Sequence, residues 1–355
     1  MGQITVIKRV IPVFPSGFDR IAAMTKVGYT FSSTQKLFFE RSKKEMPRIF
    51  SIVLIFLLLF TSWNSSKAAS PVRVIATTTV VADLVEQVGG DLVVVESLMA
   101  DGVDPHSYRA TPRDIDRLGR ADLIVANGLH LEGKLAELLK RIGHRRPFVA
   151  VGNAVPKNEL LSIGNDLFDP HIWFDAKLWS YCPSAVADAL AQLDSKSAAT
   201  YRQRADTYSE VLLELDKNVR RKFKEIPEQR RVLITAHDAF RYFGRAYGLE
   251  VIGIQGTSTE SEAGLADMNQ LVELVVQRHI PAVFVETSVS DRNVTALIEG
   301  AAARGHAVRL GGRLYSDALG PAGGDGDTLK RALLSNVDTI IGALRVTSPS
   351  QSIVE

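Results

Sequence analysis

The chain has 355 residues, 46% hydrophobic and 23% charged, a composition that excludes an intrinsically disordered or fibrous protein. Its net charge of +2 hides an asymmetry: residues 1–69 hold ten Lys/Arg against three acidic residues, leaving 32 basic and 37 acidic groups in the remainder, net −5. A mildly acidic body gives no electrostatic reason to bind nucleic acid, and no basic helix or aromatic-interleaved patch suggests otherwise.

In chain order, the first feature is a targeting signal. Arg41, Lys43, Lys44 and Arg48 flank the apolar run Ile49–Phe60, and Ser66-Lys67-Ala68 fits the small-x-small cleavage rule. A largely apolar run of twelve residues suits a signal-peptide core better than a membrane span, so a permanent single-span anchor is the weaker alternative. The 45 residues ahead of Met46 are unusual for a signal peptide, which points to Met46 as an alternative start. Residues 1–69 are therefore read as a presequence outside the fold. The sole cysteine, Cys182, rules out an intramolecular disulfide, and none follows the apolar run to carry a lipid. The expectation is a secreted, periplasmic protein.

Past residue 70, short β-branched runs alternate with helical patterns. Val72–Thr77, Val93–Leu98 and Asp122–Ala126 read as buried strands, with Val81–Val88 and Pro112–Leu118 helical between them. The rhythm returns in the second half. Strand-like runs at Arg231–Ala236, Glu250–Ile254, Ala282–Glu286 and Ala307–Leu310 are separated by helical patterns at Ala239–Tyr247, Leu265–Arg278 and Arg292–Arg304. Such alternation predicts parallel sheets flanked by helices. Between the halves, Ser197–Lys224 carries Tyr201, Tyr208, Leu212, Leu215, Val219 and Phe223 near helical spacing, and Pro227 closes it. The expected fold is α/β: two lobes, each with a parallel four-stranded sheet, joined by one long linking helix. The boundaries read 70–195 for the first lobe, 196–226 for the linker and 227–355 for the second lobe. Gly320–Gly326 reads as a surface loop and lacks the strand and Lys-Ser/Thr of a phosphate cradle.

Three of the seven histidines stand in turn-forming, polar surroundings: His106 in Asp104-Pro-His-Ser-Tyr108, His171 in Asp169-Pro-His-Ile-Trp-Phe-Asp175, and His237 in Thr235-Ala-His-Asp-Ala-Phe240. Proline fixes its own φ and holds the preceding Asp extended, so each Asp-Pro-His presents its imidazole from a stiff turn. Ligands in open α/β sheets bind beyond the carboxyl ends of the strands, where His237 falls. Two histidines from the first lobe and one from the second would meet in the cleft. A carboxylate should complete the set, and Asp317, Glu286 and Asp238 are all candidates on residue type alone. His130, His144, His279 and His306 read as structural or solvated. The spacings are too long to constitute a local zinc motif.

The chain resembles the zinc/manganese-type (TroA-like, cluster A-I) solute-binding proteins of ABC transporters. The resemblance runs through Asp104–Tyr108 with Thr111-Pro-Arg-Asp114, Ala126-Asn-Gly-Leu-His-Leu-Glu132 and Asp169–Asp175. It continues through Ala236–Phe243, Gln255–Gly264, Val285–Ser290 and Leu314–Gly320. It implies two α/β lobes bridged by a single long helix, and four metal ligands at His106, His171, His237 and Asp317. On the same footing, Asp238 and Glu286 become supports for the imidazoles, and His130 is no ligand. His237 stands where many manganese-dedicated members carry Glu, and the long His- and acid-rich loop of many zinc-dedicated members is absent. Zinc and manganese both fit.

The function implied is capture of one divalent ion, Zn2+ or Mn2+, and its delivery to a membrane permease, with no reaction catalysed and the protein acting as a monomer. Rival readings are a zinc-dependent hydrolase, which would need an open coordination position for water, and a metal-containing adhesin-like surface protein. A stiff linking helix predicts small lobe adjustments rather than wide hinge closure.

Overall fold

The computed structural model describes residues 70–260 and 264–345. The signal-peptide features read between Arg41 and Ala68 lie outside the described residues.

Four strands open the fold: β1 (Val72–Ala76), β2 (Val93–Ser97), β3 (Leu123–Ala126) and β4 (Phe148–Ala150). They lie in the order β2-β1-β3-β4 and are all parallel. β3 is buried at every position, as a central strand covered on both faces requires. Between them run α1 (Thr79–Gly89), α2 (Pro112–Arg120) and α3 (Ala136–Gly143). Thr78 caps α1 through the Val81 amide, and α2 begins with a Thr111/Asp114 capping box and Pro112 in its first turn. A small antiparallel hairpin, β5 (Ser162–Gly164) with β6 (Leu167–Phe168), leads into the short α4 (Ala176–Trp179) and then α5 (Cys182–Leu193).

The linking helix α6 spans Ala198–Phe223, 26 residues or about 39 Å of helix. Tyr201, Ala205, Tyr208, Leu212, Leu215, Val219 and Phe223 form its buried stripe, the spacing expected from the sequence.

The second lobe comprises β7 (Val232–His237), α7 (Arg241–Tyr247), β8 (Glu250–Gln255), α8 (Leu265–Gln277), β9 (Ala282–Glu286), α9 (Arg292–Ala303), β10 (Arg309–Leu314) and α10 (Leu329–Arg345). Its strands pair as two parallel ladders, β7 with β8 and β9 with β10, with β7 and β9 side by side. The last strand lies further along than the run Ala307–Leu310 suggested. Two glycines just past that run are inside the strand: Gly312 has φ of +146° at a register shift, and a Cβ on Gly311 would strike the Phe284 ring.

The two lobes share one apolar cluster. It runs from Val74 and Val85 through Trp173, Phe174 and the α6 stripe to Phe240, Phe243, Leu314 and Leu333. Phe174 stacks on Phe240 with ring centroids 4.3 Å apart, tying the turn after His171 to the segment after His237. Among the described residues, no helix is long and apolar enough to cross a membrane.

Candidate metal centre

All four residues expected to bind metal leave the carboxyl ends of strands or the turn beside them. His106 sits in the loop between β2 and α2, His171 follows the hairpin, His237 is the last residue of β7, and Asp317 lies three residues beyond β10. The repeated Asp-Pro-His turns work alike. Asp104 Oδ1 accepts from the His106 amide at 2.9 Å, and Asp169 Oδ1 from the His171 amide at 3.0 Å. Each aspartate thus closes a side-chain turn that fixes its histidine.

The four side chains converge. His171 Nε2 is 3.3 Å from His106 Nε2 and 3.4 Å from His237 Nε2. Asp317 Oδ1 lies 3.5 Å from His171 Nε2, and Oδ2 lies 3.4 Å from His237 Nε2. One ligand atom from each of the four lies within 4.8 Å of the rest. Ligands about 2.05 Å from a tetrahedral ion stand about 3.3 Å from one another, so these separations leave room for one such ion. His171 and His237 are fully buried, and His106 and Asp317 are 3% and 1% exposed.

The outer nitrogens of His171 and His237 have acidic neighbours. Asp169 Oδ1 takes the His171 Nδ1 hydrogen at 2.7 Å. Glu286 accepts the His237 amide through Oε1 at 2.9 Å, while Oε2 is 2.6 Å from His237 Nδ1, an ion-pair contact off the hydrogen-bond line. A hydrogen held at Nδ1 leaves Nε2 with a lone pair facing the centre. Asp238, expected as another support, makes no such contact. It faces Arg241 at 3.7 Å, and burial lifts its carboxyl to about 6. The support to His171 comes from Asp169. Sequence reasoning valued that residue for its turn, although its place two residues ahead of an imidazole was the available signal.

Burial and mutual charge shape the electrostatics of the cluster. Asp317 Oδ1 is buried and has no hydrogen-bond partner among the described residues. Burial works against the Asp317 charge, but the three imidazoles, His237 foremost, hold its carboxyl well below the usual range. For His237 burial opposes protonation, yet Glu286 and Asp317 outweigh it and raise the imidazole well above its ordinary value. His106 is lowered to about 4, first by burial and then by the neighbouring imidazoles.

A second buried network braces the first-lobe side. Glu132, enclosed at the end of the Ala126–Glu132 segment, accepts from Thr77 Oγ1 at 2.7 Å, the Asn127 amide at 2.8 Å and the Gly128 amide at 3.1 Å. Asn127 Nδ2 then donates to the Pro170 carbonyl at 3.1 Å, one residue before His171. From the second lobe, Tyr242 Oη donates to the Asp169 carbonyl at 3.0 Å. The remaining histidines stay outside the cluster. His130 has φ of +65° and lines a cavity beside His106, and His144 is exposed. His279 and His306 pack with centroids 5.8 Å apart, and His306 Nε2 bonds the Ile280 carbonyl.

The chain is 45% identical over 285 residues to the zinc-binding protein TroA of Treponema pallidum (strain Nichols), covering 80% of this chain and 92% of that one. It is 44% identical over 286 residues to the manganese-binding lipoprotein MntA of Bacillus subtilis (strain 168), covering 80% and 94%. The solved structure of the periplasmic zinc-binding protein TroA from Treponema pallidum superposes with a TM-score of 0.75 at 46% identity, covering 78% of this chain and 99% of that one. Residues 74–343 match the family described as zinc-uptake complex component A, periplasmic (ZnuA), and the chain belongs to that family.

Proposed function

We propose that this protein captures one divalent transition-metal ion, zinc or manganese, at His106, His171, His237 and Asp317 and hands it to the permease of an ABC importer. The observation that carries the reading is the set of four buried donor atoms gathered within 4.8 Å of one another, among them a carboxylate oxygen with no hydrogen-bond partner among the described residues. The three Nε2 lone pairs and the Asp317 carboxylate bind the ion, and Asp169 and Glu286 orient two of the imidazoles. Three imidazoles and a carboxylate suit tetrahedral zinc, whereas both Asp317 oxygens face imidazoles, which suits a five-coordinate ion such as manganese. The lobes are bounded near residues 195 and 227, and the protein acts as a monomer in the periplasm, sent there by the segment around Ile49–Phe60.

Catalysis is not part of this function. Four protein ligands close the shell, while a hydrolytic zinc keeps a position for water. The test is metal analysis of residues 70–355, followed by titration of the chelator-treated protein with Zn2+ and Mn2+. One tightly held ion per chain is expected, lost in His171→Ala and Asp317→Ala. Unchanged binding in both variants, or steady turnover of esters or peptides, would overturn the reading.

A further inference from the structure

The lobes meet on two sides of the metal centre, and the two sides are built differently. On the α6 side they are fused by the shared apolar cluster. Trp173 Nε1 also donates to the Ser316 carbonyl at 3.1 Å, the Leu319 amide to Thr79 Oγ1 at 2.7 Å, and the Leu329 amide to Asp83 Oδ2 at 3.1 Å. On the other side lies a cavity of about 240 Å3 whose walls include His106, Leu129, His130, Pro170, Thr257 and Glu260. Of the three imidazoles at the centre, His106 is the one that lines this cavity and retains some exposure.

Across the cavity the lobes are joined by the loop that follows β8. Thr259 Oγ1 donates to Asp104 Oδ2 at 2.6 Å, and Glu260 pairs with Lys134. The Lys134–Glu260 pair leaves both side chains 40% exposed, where screening and side-chain entropy cancel most of its attraction. The Thr259 contact is short, partly buried and directed at an ionised acceptor, so it is the stronger of the two. Asp104 is also the residue whose other oxygen holds the His106 amide, and its Oδ2 takes the Ser107 hydroxyl at 2.7 Å. One carboxylate therefore both shapes the turn that presents a metal ligand and is gripped by the opposite lobe.

We propose that the Thr259–Asp104 hydrogen bond is a latch that sets how fast the bound ion leaves, with both residues acting as positioning residues through His106. This rests on the metal-capture reading above. With the bond made, residues 256–260 stay against the cavity and the His106 turn is held from both lobes. With it broken, the His106 turn loses its second-lobe support while the fused side stays in place. The ion then departs past His106 through the cavity, where the His130 imidazole and the Glu260 carboxylate are the next donor groups on its way. Gly256 and Glu260 are exposed, so a partner docking over the cleft reaches the latch directly.

The experiment is zinc release from loaded residues 70–355 into excess chelator, followed by stopped flow. Thr259→Val should raise the dissociation rate about tenfold, the scale of losing one hydrogen bond to a charged acceptor. Thr259→Ser, which keeps the hydroxyl, should stay near the parent rate. Metal stoichiometry should not move in either variant, and the Tm of the metal-free protein should fall by only about 2–4 °C in Thr259→Val, the scale of one lost hydrogen bond, which separates a latch from a general loss of stability. Release from Thr259→Val at the parent rate, or equal rates for Val and Ser, would overturn the latch and leave metal capture standing. A parent protein that takes up no metal would overturn both.

Discussion

In the proposed site, the outer nitrogens of His171 and His237 set how well their inner nitrogens would bind. Asp169 fixes His171 by a direct hydrogen bond, and Glu286 stands against His237. Replacing Asp169 by Asn, or Glu286 by Gln, should weaken metal binding about 10- to 100-fold while keeping one ion per chain, as competition with a calibrated chelator would show. Acid should act through His237. Glu286 and Asp317 raise its imidazole well above the ordinary value, so a proton there would compete with the proposed ion. Affinity should fall by about tenfold per pH unit for each proton displaced as pH drops from 8 towards 5, measurable by the same titration. For the empty fold the signs differ. The raised His237 adds stability below 6.5 that is lost as pH rises through its folded value. His106, lowered to about 4, adds stability above 6.5 that is lost as pH falls towards 4. Melting the metal-free protein at pH 7, 5 and 4 reads the balance.

Among the elements, α6 carries the most. Its buried stripe faces both lobes, and Leu212 near its middle is fully buried. Leu212→Ala should lower the unfolding free energy by about 2–5 kcal/mol, seen in denaturant titration of the metal-free protein, with little change in metal affinity because no metal ligand lies on that helix. Asp83 on α1 is the polar counterpart: Oδ2 accepts from Tyr208 Oη on α6 at 3.2 Å and from the Leu329 amide that opens α10 at 3.1 Å. Burial raises its carboxyl, and the hydrogen bonds oppose that rise. Periodicity made α6 readable because a helix buried on one stripe must repeat its apolar residues near every third and fourth position. α3, α5 and α10 carried no such singled-out pattern. The hairpin β5–β6 is short and half-exposed, so its residues are under little constraint from burial.

At the scale of the whole molecule, the shared core limits motion. Opening the α6 side would expose packed aromatic and aliphatic groups such as Phe174, Phe240 and Leu333, at roughly 25 cal/mol for each Å2 of apolar surface. Small-angle scattering of the metal-free and metal-loaded forms should therefore give nearly superposable profiles, and a large change in radius of gyration would contradict the fused core. Metal should nonetheless stabilise the fold by mass action, by about 4 kcal/mol when free metal stands a thousandfold above its dissociation constant. Thermal melts with and without chelator test that.

The order of strands and helices and the long amphipathic linker were legible in the chain itself, because burial imposes local periods of two and of 3.6 residues. The two Asp-Pro-His turns were equally plain, since proline and aspartate act on their immediate neighbours. Choosing Asp317 over Glu286 and Asp238 required family resemblance, because residue type alone is blind to distances across the fold. Tertiary structure decided what side-chain placement and distant positions settle: that Asp169 rather than Asp238 supports an imidazole, that Asn127 reaches the Pro170 carbonyl, and that Thr259 grips Asp104. A hydrogen bond across 155 residues leaves no local period to read. It exists because two lobes fold against a common core and bring two loops within reach.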